Sequence, residues 1–213
     1  TLYRTLSNIL WTFPQVQAAS PRLLGKAGAK HKDKVRGVSF IGADPLKEDP
    51  LMMVQKDMVW GNYSDLVFKK RGAVLGTKLA ENLELEPRQK FTLQLQNKSL
   101  RIEVVGLIRT GTGTDETLVY LPLDTAQELL DQTDVVSQVA VRLSDIYAAP
   151  EIAANLSRRF TYRAESWQEQ NRDILQVMDT QKFILYIFYA LIFVIAGFGV
   201  ANTMIMTVTR RTK

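Results

Sequence analysis

FILYIFYALIFVIAGFGVANTMIMTV, Phe183–Val208, is the stretch that decides the fold of this chain. Every residue from Phe183 to Ala201 is apolar, aromatic or glycine, and no charge follows until Arg210. At about 1.5 Å per residue the stretch could span about 40 Å, enough to cross a bilayer with tilt. A buried core helix of a soluble protein rarely runs so far without a charged side chain. The flanks set the direction. Arg210, Arg211 and Lys213 follow the span closely, whereas Arg172, Asp173, Asp179 and Lys182 mix signs on the other side. The positive-inside bias then puts the C-terminus in the cytoplasm and the residues before about 183 outside it.

Working outward from the span, Ser166-Trp167-Gln168-Glu169 fits a capping box, with Ser166 on the amide three residues on and Glu169 reaching back. No proline occurs from Trp167 to Thr209, so the expectation is one unbroken helix of about 43 residues, roughly 65 Å, running from head to membrane. Gln170–Lys182 also lacks the glycine, serine and proline of a flexible tether, which makes the helix a lever. Within the span, Asn202 sits among apolar neighbours and is expected on a helix–helix face, with Gly197 and Gly199 permitting close packing at the same level. Arg210 and Arg211 mark either the entry to a cytoplasmic element or a plain topology anchor.

The remaining chain has room for one domain or two small subdomains, since 213 residues are 46% hydrophobic. The net charge of +5 is spread along the sequence without a reader motif, so nucleic acid is not an expected partner. With no cysteine and one histidine, His31, a disulfide scaffold and cysteine- or histidine-rich zinc sites are excluded. The sequence opens at Thr1 with no signal-peptide pattern and reads as an excerpt beginning just after an earlier membrane helix.

Taken in order, Leu2, Leu6, Ile9, Leu10 and Phe13 space an amphipathic helix stopped by Pro14, and Gln15–Ser20 reads as a short strand. Arg22–Arg36, rich in glycine and lysine, reads as an exposed loop or hairpin, solvated rather than pressed on acidic lipid headgroups. Val35–Ala43 is strand-like, Asp44-Pro45 is a turn signal, and Lys47–Ser64 is irregular. Gly72–Gly76 with Thr77-Lys78 has the wrong spacing and order for a phosphate loop and reads as a strand entering a helix, Thr77–Leu85. Phe91–Gln96 and Leu100–Val104 alternate as a hairpin turning near Asn97-Lys98. Asp115 and Glu116 in TGTGTDE are adjacent carboxylates that point apart and lack a third group, so no catalysis is expected there.

Leu118–Leu121 is a strand, and a short helix begins near Pro122 or Asp124. Val139, Val141 and Leu143 mark a strand, Ile152, Ala153, Leu156 and Phe160 a helix, and Thr161–Glu165 a further strand. The sum is an α+β chain. Residues 1–45 and 116–166 form a small α/β layer, 46–115 an inserted β-rich part, 167–182 a stalk helix, 183–209 the transmembrane helix and 210–213 the cytoplasmic start.

VRGVSFIGADP (Val35–Pro45), GAVLGTKLAENLEL (Gly72–Leu85), VVGLIRTGTGTDETLVYLPLDTAQELL (Val104–Leu130), SQVAVRLSD (Ser137–Asp145), AESW (Ala164–Trp167) and the span ending in MTVTRR (Met206–Arg211) occur in one succession. That succession resembles the permease subunits of lipoprotein-releasing ABC transporters, the LolC/LolE type, and more distantly the MacB and FtsX-like permeases. The resemblance implies a MacB-like periplasmic core domain, with an α/β Porter part and an inserted β-rich Sabre part, followed by the second of four membrane helices in a bacterial inner membrane. It implies a non-catalytic subunit that binds no cofactor itself. ATP would belong to a cytoplasmic ATPase dimer, and the other partners would be a second permease copy or paralogue, membrane lipid and a lipoprotein substrate. The activity implied is mechanical: ATP hydrolysis inside the cell drives lipoprotein release at the outer face.

A MacB-like exporter of drugs or toxins is the alternative within the architecture, and a membrane-anchored sensor or binding module is the alternative from another class. LolC-type chains carry a long hook hairpin that recruits a periplasmic carrier. The hairpin turning at Asn97-Lys98 is too short for one.

Overall fold

Ala27 and Ala29 are buried while Lys30 between strand partners is exposed, the alternation of a β-strand with one face inward. The computed structural model describes residues 13–159 and 162–211, which leaves the expected opening helix, apart from Phe13, outside the described residues. The first strand, β1, runs Val16–His31 and turns tightly at Lys32-Asp33 into β2, Lys34–Ala43. Of the loop or hairpin expected for the glycine- and lysine-rich stretch, the hairpin is what forms. Asp44 begins a short helix, α1, Pro45–Met52: its carboxylate accepts the Leu46 amide at 3.1 Å and Pro45 takes the first helical position, where its missing N–H costs nothing.

A tight turn at Val54–Asp57 leads into β3, Met58–Gly61, and the one-turn α2, Asp65–Phe68. Next come β4 Gly72–Gly76, α3 Thr77–Leu83, β5 Lys90–Leu95 and β6 Lys98–Ile108, the last two joined by Gln96-Asn97 alone. The first unit ends with β7 Leu118–Pro122, α4 Leu123–Leu130 and β8 Gln138–Leu143. The chain divides into two compact units after Ser144, and the second holds α5 Ala149–Arg159, α6 Trp167–Gln170 and α7 Arg172–Arg211. The expected strand at Thr161–Glu165 is absent over residues 162–165, which form no regular element.

Six strands of the first unit close on themselves. β1 pairs antiparallel with β2, β2 parallel with β7, β7 antiparallel with β4, β4 parallel with β6, β6 antiparallel with β5, and β5 antiparallel with β1 again. Closure leaves these six without a free edge. One core draws on all of them, through Leu23, Phe40, Leu75, Phe91, Ile102 and Leu121, and on Leu83 of α3 and Leu129 of α4. Each such side chain contributes roughly 1.5–3 kcal/mol on burial.

A second, smaller core on the other face packs Val54, Tyr63 and Leu66 onto Val74, Val105 and Tyr120. Divisions at 45/46 and 115/116 thus pass through one hydrogen-bonded sheet, because its pairing is non-local. The change of partner falls at Arg22, whose register partners are Ala43 of β2 and Gln138 of β8.

Two polar groups are buried in this unit with clear consequences. Glu48 of α1 is 0% exposed and meets Arg22, whose Nε donates to Oε2 at 3.1 Å while Nη2 lies 2.6 Å from Oε1. Asp115 is 2% exposed and accepts from the Thr110 amide at 2.9 Å, the Thr110 hydroxyl at 2.7 Å and the Gly111 amide at 3.1 Å. The carboxylate therefore closes its own loop, which packs so tightly on β4 that a Cβ at Gly76 would stand 2.2 Å from the Asp115 carbonyl oxygen. Glu116 points away to an exposed contact with Lys78 at 3.4 Å.

Burial disfavours the Asp115 anion, but the Thr110 and Gly111 bonds and the Lys78 charge outweigh it and hold its pKa below the ordinary value. Because the folded pKa is depressed, the stabilisation is present above about pH 4 and fades as pH falls through the folded value. Asp115→Asn should make the Thr110 and Gly111 amides exchange about tenfold faster at neutral pH, equal to about 1.4 kcal/mol, with the gap to the parent chain narrowing in acid. Hydrogen exchange read by mass spectrometry at two pH values checks both parts.

Candidate functional site: the capped membrane helix

The second unit builds the element with functional promise from its N-terminal cap onward. Ser166 leaves the helix path in extended conformation, its hydroxyl accepts the Glu169 amide at 3.2 Å, and Glu169 Oε2 accepts the Ser166 amide at 3.3 Å. Two amides that α6 cannot satisfy internally are thereby paired. The same turn is tied sideways: Trp167 Nε1 and Gln168 Nε2 both donate to the Ile146 carbonyl, at 3.1 and 3.2 Å. Upstream, the Ser157 hydroxyl accepts the Ala164 amide at 2.9 Å, a bond between α5 and the approach to the cap.

The expected single helix from Trp167 to Thr209 is interrupted once, at Asn171, with φ −108° and ψ 24° against about −63° and −42° for α-helix. Its side-chain amide donates to the Trp167 carbonyl at 2.8 Å, the oxygen that also accepts its backbone N–H at 3.0 Å. Asparagine offers such local bonds and weakens a helix where it sits. Neither glycine nor proline marks the spot, so the sequence signal was weak. Beyond it, α7 continues for 40 residues through Asp179 without a further break.

Arg172–Thr207 is long and apolar enough to cross a membrane, and its apolar side chains are exposed apart from the half-buried Leu175. Threonine hydroxyls in the span bond back to the preceding turn, Thr203 to the Gly199 carbonyl and Thr207 to the Thr203 carbonyl, each at 2.8 Å. That satisfies their polarity without a partner helix. Asn202 is one turn from Gly199 on the same face, next to Thr203. Gly197 is not brought to that face, since five residues at about 100° each set it about 140° from Asn202. Only Gly199 and Asn202, of these three, share a stripe. α7 runs to Arg211 and so includes Arg210 and Arg211 in the helix.

On the first unit, the Nδ1 of His31 donates to the Leu83 carbonyl at 2.9 Å, a structural bond at the end of α3. Arg109, Glu81, Glu84 and Glu86 line a shallow groove of about 340 Å³ beside β3. Glu84 is already engaged with Lys34 at 2.8 Å, and that contact, the hydrogen bond first and the charge second, holds its pKa low.

Residues 2–159 match the family described as MacB-like periplasmic core domain. Over 210 residues the chain is 25% identical to the lipoprotein-releasing system transmembrane protein LolC of Neisseria meningitidis serogroup B, covering 92% of this chain and 51% of that protein. Over 222 residues it is 21% identical to the lipoprotein-releasing system transmembrane protein LolE of Haemophilus influenzae, covering 97% and 52%. The chain thus spans about half the length of these curated relatives.

Among solved structures, the periplasmic region of MacB from Actinobacillus actinomycetemcomitans aligns with a TM-score of 0.57 at 14% identity, over 82% of this chain and 81% of that one. The extracellular domain of the noncanonic ABC-type transporter YknZ from Gram-positive bacteria aligns with a TM-score of 0.54 at 18% identity, over 74% and 83%. These two likenesses bear on fold alone, and they agree with the mixed helix and sheet found here. By the match over residues 2–159, the chain belongs to the family of MacB-like periplasmic core domains.

Proposed function

We propose that this chain is the periplasmic domain and following membrane helix of an ABC transporter permease of the lipoprotein-release type. In this reading it sits in a bacterial inner membrane, with the residues before about 183 outside and the end of α7 in the cytoplasm. The observation that carries the proposal is a 40-residue helix long and apolar enough to span a bilayer, joined by a capped turn to a domain of this family. Relatives named for lipoprotein release support the substrate class. The chain does no chemistry of its own. A cytoplasmic ATPase dimer supplies the free energy, a second permease copy or paralogue completes the pair, and α7 carries displacement from the membrane to the head.

The β5–β6 connection bears on partners. Gln96-Asn97 leaves no hook at that hairpin, so we assign no carrier protein to it. A short hairpin there also suits the second reading, an exporter of the MacB kind, which needs no such carrier.

The discriminating experiment reconstitutes the full-length permease and its ATPase in proteoliposomes with a triacylated protein. ATP-dependent release of the acylated protein, and none of its unacylated form, is the expected result. Hydrolysis with no release, stimulated instead by small amphipathic drugs, would replace lipoprotein release with efflux.

A further inference from the structure

We infer that Asn171 is a hinge between an anchored first turn and the membrane rod, so that the rod tilts about one residue rather than moving rigidly with the turn held at Ile146. The inference rests on the mechanical reading above and adds where the motion is taken up. α6 is closed on itself by the capping box of Ser166 and Glu169 and tied to one outside point, the Ile146 carbonyl, by the Trp167 and Gln168 side chains. α7 resumes regular bonding immediately, with the Leu175 amide on the Asn171 carbonyl at 3.0 Å. Between them, the Trp167 carbonyl receives both the side-chain and the backbone N–H of Asn171, and ψ departs from the helical value by about 65°.

A bend in a helix concentrates where a side chain enters the bonding ladder or where glycine or proline interrupts it. From Arg172 to Ala196 the sequence has neither glycine nor proline. Thr180 also bonds back to the preceding turn, at the Gln176 carbonyl, but the helix assignment stays unbroken there, so Asn171 is the position between the fixed turn and the outer half of the span where the helix is interrupted. Alanine there removes the competing amide and raises helix propensity, which should fuse α6 and α7 into the continuous helix that the sequence suggests without it.

The chain has no cysteine, so spin labels can be placed without removing any. The test uses the full-length permease with its ATPase in nanodiscs, labelled at Tyr147→Cys and Phe188→Cys, with distances read by pulsed electron resonance with and without ATP. The parent should give a broad distribution that shifts on ATP binding. Asn171→Ala should narrow it about twofold and abolish most of the shift, and Asn171→Gly should broaden it. A parent distribution that is narrow and indifferent to ATP, or an alanine variant indistinguishable from the parent, overturns the hinge. The underlying rod reading fails by a different sign, intact release when proline breaks α7 at position 176. If that proline variant is dead while Asn171→Ala matches the parent, the rod stands and the hinge falls.

Discussion

On the proposed transporter function, Gln176→Pro should leave ATP hydrolysis near the parent rate and lower substrate release more than about tenfold, in the full-length permease with its ATPase. Proline at this position removes the amide bond to Arg172 and drives its ring against that carbonyl, a cost of about 3 kcal/mol or more that the helix relieves by kinking. The site is chosen for what it spares. Gln176 lies in the first turns of α7, seven residues before the fully apolar stretch opens at Phe183, so membrane insertion does not depend on it. The tethers of α6 lie before it, so the cap on the head side is untouched. Its carbonyl accepts the Thr180 hydroxyl at 2.9 Å, a bond that the proline variant can keep, so the loss is confined to the ladder.

Gln176→Ala, which favours helix, serves as the control and should match the parent in hydrolysis and release. Equal membrane levels of the three forms, checked by blotting, separate uncoupling from misinsertion. Release at the parent level in the proline variant would show that the rod does not carry the stroke.

Glu48→Leu should destabilise the first unit by about 3–5 kcal/mol, the largest single-residue loss expected in it. The variant strands the Arg22 guanidinium, mostly buried, without the carboxylate that meets it through two nitrogens. Removing one member of a buried pair leaves an uncompensated charge, whereas removing both does not. Arg22→Met with Glu48→Leu together should therefore recover most of the loss.

Two tyrosines, Tyr63 and Tyr120, are buried beside the pair. Tyr120 is pushed up to about 12, and the Tyr63 phenol higher still, by burial first and the Glu48 charge second. The two rings stack edge to face with centroids 5.5 Å apart. Against a typical total stability of about 5–15 kcal/mol, the single change should bring the unit close to unfolding at growth temperature. Denaturant midpoints of the parent, single and double variants decide the matter. A double variant as weak as the single one would refute the ion-pair account.

The features legible in the sequence are those that local pattern fixes. The span follows from uninterrupted apolarity, the cap from Ser166 and Glu169, and the β5–β6 hairpin from alternation around Asn97-Lys98. For Arg22–Arg36 the sequence leaves loop and hairpin both open, and the hairpin is what forms, its glycines serving packing rather than turning. Gly25 reads as loop chemistry, yet a Cβ there would stand 2.3 Å from the Phe40 ring, so its small size seats an aromatic inside the barrel. Lysines on the outer face completed the impression of a loop, although outward strand positions are free to be charged. Asp44-Pro45 is ambiguous for another reason: the same pair that ends a strand in a turn also caps and starts a helix. Closure of the barrel was out of reach because it depends on pairings between distant stretches. The Asn171 break was hidden by a residue that weakens helices only mildly.

The divided loyalty of β1 sets an order of events during synthesis. Its distal half finds β2 at once across a two-residue turn, but Ala19 meets its register partner Val141 of β8 only across 122 positions of chain. At about 5–20 residues per second, a nascent chain carries that strand incompletely paired for several seconds. Long-range pairing of this kind is slow to form and exposed to wrong partners while it waits.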